Sequence, residues 1–211
     1  MIAIVDYGAG NLTSVARALD HIGKNSRITG DPAVLARASH VIFPGVGAAG
    51  DAMVNLRARG LDGWIRDWFA AGKPLLGICL GTQVIFDYSE ENETACLGLI
   101  SGRVKRFPAD MKSDGRPLKI PHMGWNGVSF TGRHPVFRGI PEEAEFYFVH
   151  TYYPAPSEAD HVIGRTDYGL TFCSAVAVRK GVAVPCLPEK SGVPGLKILE
   201  NFCAWGGEDA E

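Results

Sequence analysis

The sequence has no block of basic residues: 21 lysines and arginines stand against 23 aspartates and glutamates in 211 residues, a net charge of −2. A nucleic-acid binder needs a concentrated positive patch to displace counterions from phosphates, so nucleic acid is excluded as a partner. No apolar run reaches membrane-spanning length. The opening "MIAIVDYGAGN" enters a strand pattern at once, without the charged, apolar and small-residue regions of a secretory signal, which predicts a cytoplasmic protein. The five cysteines, Cys79, Cys96, Cys173, Cys186 and Cys203, are odd in number and lack CxxC spacing. That argues against a disulfide framework and a zinc site, and no motif asks for a metal or a cofactor. Internal repeats, low-complexity tracts and long linkers are missing too, so residues 1–211 are expected to form one domain.

What is present is a βα rhythm. A short aliphatic run at residues 2–5 leads into the turn "YGAGN", after which Leu12, Val15, Ala16, Leu19 and Ile22 recur at helical spacing, with Asn11 as N-cap and Gly23 as stop. "HVIFPGVGAAG" reads as a strand ending in a Pro/Gly turn, followed by helical material through Ala70; "PLLGICLGTQVIFDYSEE" reads as strand, sharp turn and helix. Continuous aliphatic strands alternating with helices predict an α/β fold, with a mainly parallel sheet covered on both faces. After Leu97 the texture changes to short β-like runs such as "EFYFVHTYY" and "LTFCSAVAV", which predict extra antiparallel or mixed strands before a last helix near residues 196–202. "MKSDGRP" is the candidate mobile loop.

Chemistry concentrates at "LLGICLGTQ". Cys79 follows the strand at residues 75–78 and precedes a helix opening at Leu80, with Gly77 and Gly81 on either side, the nucleophile-elbow pattern with a thiol at its apex. A cysteine in an apolar run is ordinarily packing, and Cys96, Cys173, Cys186 and Cys203 are read so; the paired glycines set Cys79 apart. Its expected place is the carboxyl end of a central strand and the positive end of a helix, which favours the thiolate. The Leu80 backbone N–H and a second donor from "PGVG", residues 44–47, would form an oxyanion hole. "GAGN" at residues 8–11 lacks a full dinucleotide fingerprint and is read as a tight turn rather than a phosphate cradle.

The elbow "GICLGTQ" together with the distal "PEKS" resembles the class I glutamine amidotransferases. The wider set "VDYGAGNL", "PGVGAAGDAM", "KIPHMGWN", "YFVHTYY" and "PEKSG", spread over the whole chain, is similar to the glutaminase subunits of imidazole glycerol phosphate synthase, from histidine biosynthesis. The resemblance implies a doubly wound, flavodoxin-like sheet with a Cys-His-Glu triad. The nucleophile maps to Cys79, the acid to Glu189, substrate binding to Gln83, and the oxyanion strand to Gly45, Val46 and Gly47. It also implies docking on a (β/α)₈-barrel cyclase that receives the ammonia, with "GAGN", "HMGWN" and "HTYY" towards that contact.

One position departs from this pattern. The family segment carries the triad histidine two residues before the acid, and here that residue is Leu187, in "PCLPEKSG". Leucine has no proton to exchange, so Glu189 would keep its place without a group to orient, and glutaminase activity is expected to be impaired. His21 and His40 are expected in the first helical stretches, and His134 and His161 in polar turns. His122 and His150 stand where relatives with a normal triad also carry histidine, so none is expected to replace the base. Pro185, lacking an N–H, is expected to distort what reads as an interior strand.

Overall fold

The computed structural model describes residues 1–8, 10–113, 115–131 and 134–207. Ala9 in the expected tight turn and Asp114 in the expected loop lie outside the described residues. The first half alternates strand and helix: β1 (Ile2–Val5), α1 (Leu12–His21), β2 (Ser26–Thr29), α2 (Pro32–Leu35), β3 (His40–Gly45), α3 (Ala49–Ala58), α4 (Leu61–Ala70), β4 (Leu75–Cys79) and α5 (Leu80–Val84). These strands and Gly181–Val184 form the parallel part of an eight-stranded sheet, in the order Gly181–Val184, β4, β3, β1, β2. Thr171–Val178, Val162–Asp167 and Ser129–Phe130 extend it antiparallel from the Gly181–Val184 edge. This is the doubly wound, mainly parallel α/β fold expected.

The unbroken apolar strands follow from burial on both faces. Ala3, Val5, Val41, Phe43 and Leu75 pack with α3 and α4 residues such as Met53, Leu56, Ile65 and Trp68 on one face. Their neighbours Ile2, Ile4, Ile42, Leu76 and Ile78 pack on the other face with Val15 and Leu19 of α1 and with Ile198, Leu199 and Phe202 of the last helix, α6 (Gly192–Ala204). Side chains alternate across a strand, so only a run apolar at every position satisfies both layers.

Several boundaries differ from expectation. The helical stretch through Ala70 is two helices, broken at Gly60, whose φ of 66° a residue with a Cβ adopts only with strain. The strand "HVIFPG" runs through Pro44, which pairs with Ile78 of β4, because β1 leaves β3 after Ile42 and a missing N–H costs nothing on the open side. α5 is only five residues long; β-branched and aromatic residues return the chain to a strand, Phe86–Ser89, tied by the Gly98 N–H to the Phe86 carbonyl. That strand joins Thr94–Ala95, Ile100–Arg106 and Tyr152–Pro156 in a second sheet, while His122–Gly127 pairs antiparallel with Glu145–His150. Lys112–Ser113 and Arg116–Pro117, within the candidate mobile loop, pair as a short ladder. α6 starts earlier than expected because Pro194 sits in its first turn, where no N–H is needed. Pro185 distorts no strand: the ladder ends at Val184. Nor is His40 helical; it opens β3, with Nε2 2.8 Å from the Trp205 carbonyl.

Candidate active site

Cys79 ends β4 with φ 54° and ψ −110°, a positive φ that only surrounding structure can hold in a non-glycine residue. The flanking glycines show how. A Cβ on Gly81 would lie 1.7 Å from the Phe43 carbonyl oxygen, and one on Gly77 would press on the Ala183 Cβ at 3.1 Å and the Gly81 backbone at 3.3 Å. The turn is tight because two backbones pass where side chains would be. Thr82, fully buried in α5, adds a strut: its hydroxyl lies 2.7 Å from the Val184 carbonyl, with the Gly77 carbonyl at 3.2 Å. The elbow is thereby tied to the strand that leads to Leu187 and Glu189.

β3 runs beside β4 with Gly45 opposite Cys79. Gly45 has no room for a side chain, since a Cβ would meet the Tyr7 hydroxyl at 2.0 Å, and Gly47 turns the chain at φ 104°. Val46, Gly47, Cys79, Leu80, Gln83 and Leu187 all line one cavity of about 320 Å³. Gly45 stands behind it, and Glu189 is outside its lining.

Glu189 sits in the 3₁₀ turn Pro188–Lys190, and its Oε2 is buried without a hydrogen-bond partner among the described residues. Burial raises its pKa, against the pull of its own backbone N–H and of Lys190. Leu187, two residues earlier, is 7% exposed and lines the cavity, and its side chain has no polar atom. Its backbone is clamped: the Leu187 N–H donates to the Tyr147 carbonyl at 2.9 Å, and the Ser191 hydroxyl donates to the Leu187 carbonyl at 2.7 Å while accepting the Tyr147 N–H at 2.9 Å.

Electrostatics at the sulfur run against the expected helix-terminus activation. Burial pushes the Cys79 thiol up to about 12; the Leu80 backbone N–H and Lys190 pull it down, while Glu189 and Glu91 add to the rise. A five-residue helix and one N–H do not offset the desolvation of a thiolate.

Glu91 and Lys190 reach the same cavity without having been given a role from the sequence, and His150, weighed there as a base, lines it too. The Glu91 carboxylate accepts the Ala49 N–H at the start of α3 at 2.8 Å, and burial raises its pKa. His150 cannot act as a substitute base, because both ring nitrogens are committed. Nδ1 lies 2.9 Å from the Tyr152 carbonyl, which only accepts, so Nδ1 carries the proton and Nε2 is the acceptor. The His122 Nδ1, 3.0 Å from Nε2, then donates to it. The remaining His122 nitrogen faces the Asn126 amide at 3.4 Å, and that amide also donates to the Asp167 carbonyl at 2.9 Å. Burial holds both imidazoles neutral, lowering His122 to about 4 and His150 to about 3. Among the described residues no cluster of histidine, cysteine and carboxylate side chains is arranged to hold a metal ion, and no helix is long and apolar enough to cross a membrane.

The family model for glutamine amidotransferase class-I matches residues 3–204. The imidazole glycerol phosphate synthase subunit HisH of Nitratidesulfovibrio vulgaris (strain DSM 19637 / Miyazaki F) is 53% identical over 206 residues, 97% of each chain. The protein of the same name from Aromatoleum aromaticum is 50% identical over 209 residues, covering 97% of this chain and 98% of that one. Among solved structures, one of PurLQS from Thermotoga maritima superposes with a TM-score of 0.73 at 17% identity, over 96% of this chain and 97% of that one, a likeness of fold. Spanning all but the two ends of the sequence, the family match settles the class: this chain belongs to the class-I glutamine amidotransferases.

Proposed function

We propose that this chain is the glutaminase subunit of an imidazole glycerol phosphate synthase, a hydrolase of amino-acid biosynthesis acting as one domain across residues 1–211. It works in the cytoplasm as a heterodimer with a (β/α)₈-barrel cyclase, the lyase partner that consumes the ammonia, and needs no cofactor of its own. The observation that carries this reading is the strained Cys79 elbow opening into a cavity that also holds Gln83 and Glu91. Half-identity over nearly the full length to chains named for that synthase supports the same assignment. Exposed Met123 and Trp125, on the strand that follows the cavity residue Pro121, support a docking face beside the site.

In this reading the Cys79 sulfur attacks the side-chain amide carbon of glutamine. The Leu80 N–H and a backbone donor of Gly45, Val46 or Gly47 take the oxyanion, while Gln83 and Glu91 hold the α-carboxylate and α-ammonium. Carbon–nitrogen cleavage releases ammonia, and water converts the thioester to glutamate. The thiol proton must reach the departing nitrogen, and a base at position 187 would carry it; leucine cannot, and Glu189 is left with nothing to orient. Such acid–base help contributes ~10²–10⁴ in rate, so the chain's own glutaminase is severely impaired.

The apolar Leu187 in the cavity lining favours a second reading, in which the chain caps the cyclase and free ammonia serves as nitrogen source. Both are tested by measuring glutamine hydrolysis with the cyclase and its ligand present, for the native chain and for Leu187→His, beside cyclase turnover on ammonium salts. Equal and substantial hydrolysis by the two chains would overturn the impairment. Absence of hydrolysis in both, with ammonium-driven turnover intact, would leave the capping role.

A further inference from the structure

Ser89 ends the strand Phe86–Ser89 with no exposed surface, and the chemistry above does not use its hydroxyl. The oxygen accepts the Glu91 backbone N–H at 3.2 Å and donates to the Gln83 Oε1 at 3.3 Å. Both partners belong to residues that line the Cys79 cavity. It is the Gln83 Oε1 that faces the hydroxyl, so Ser89 donates in this pair, and the two amide N–H donors are turned away from Ser89 and left for the cavity.

Glu91 is held from the same point. Beyond the Ser89 contact, the Thr94 hydroxyl donates to the Glu91 carbonyl at 2.7 Å, closing a turn in which Asn92 and Glu93 adopt φ values of 56° and 48°. Two successive non-glycine residues in the left-handed region persist only where anchors over-determine them. The Glu91 Oε2 is engaged by the Ala49 N–H, which leaves the other carboxylate oxygen for a ligand. The cavity thus presents donors from Gln83 and an acceptor from Glu91, the complement of a zwitterion's carboxylate and ammonium.

We propose that Ser89 is the positioning residue that sets substrate specificity: one hydroxyl orients the Gln83 amide and anchors the Glu91 turn, and so makes the cavity select an α-amino acid. This rests on the reading of the cavity as a glutamine site. The test uses the full chain and follows alkylation of Cys79 by a glutamine-like α-amino acid carrying a chloromethyl ketone, by the same ketone lacking the α-amino group, and by iodoacetamide. In each case a carbon–sulfur bond forms, halide leaves and the thiol proton passes to solvent.

Loss of one hydrogen bond is worth about tenfold, so Ser89→Ala is expected to slow the amino-acid ketone by about that factor. Iodoacetamide, which has no zwitterion to place, is expected to stay within about twofold. The native preference for the amino-acid ketone over its des-amino counterpart should shrink in Ser89→Ala and return in Ser89→Thr, which keeps the hydroxyl. Equal slowing of all three reagents, or an undiminished preference in Ser89→Ala, would overturn the proposal while leaving the glutamine reading in place. A native chain with no preference between the two ketones would remove the glutamine reading, and this one with it.

Discussion

On the strand side of the Cys79 cavity the nucleophile's turn is held by close packing and a polar strut: the elbow at Cys79, the glycines that let Phe43 and Ala183 approach, and the Thr82 hydroxyl on Val184. Across from it the Leu187 backbone is held as firmly, by Tyr147 and Ser191, yet the side chain it presents has no polar atom. The backbone of the second wall is fixed, while the side chain it presents can neither give nor take a proton. Backbone clamps read no side chain, so a turn of this kind places whatever residue stands at 187, and placement and reactivity can be varied separately.

If that contrast is right, restoring one side chain should have the largest effect. Leu187→His is expected to raise glutamine hydrolysis in the cyclase complex by ~10²–10⁴, read as kcat, because Tyr147 and Ser191 already hold the backbone at that position. On the opposite wall the expected effect is on stability: in Gly81→Ala the new methyl meets the Phe43 carbonyl oxygen at 1.7 Å, and a denaturant midpoint should fall by the equivalent of about 3 kcal/mol.

The pH profile separates the walls further. With the Cys79 thiol pushed up to about 12, its thiolate grows as pH rises, so iodoacetamide labelling of the Cys79 peptide should climb about 100-fold between pH 7 and 9 without levelling. A plateau below pH 8 in the native chain would mean that some group already activates the sulfur. The smallest effect is expected from Glu189→Gln: with no cation to orient, the change should stay within about threefold in the native chain, while in Leu187→His it should remove much of the recovered rate.

The parts legible in the sequence are those whose cause is local. Paired glycines around Cys79 announce a tight turn, apolar residues at every position announce a strand covered on both faces, and Leu187 can be read directly beside "PEKS". Glu91 was not legible, because it enters the cavity through a left-handed turn at Asn92 and Glu93 that no glycine marks. The helix expected through "VIFDYSEE" failed for a long-range reason: Phe86 and Ile85 bond to Gly98 and Leu99, partners that sequence periodicity does not reveal. The desolvation of the thiol, which outweighs the downward pull of the Leu80 N–H, is illegible for a similar cause, since the neighbours burying the sulfur are a property of the assembled fold.

The hydrogen-bonded file from Asn126 through His122 and His150 to Tyr152 has one further consequence. Each member donates in the same direction and the last is a carbonyl, which has no proton to hand on. Such a file cannot reverse one link at a time, and Tyr152 offers no exit. It is a dead end for protons, so a proton leaving Cys79 finds no relay through this pair of imidazoles.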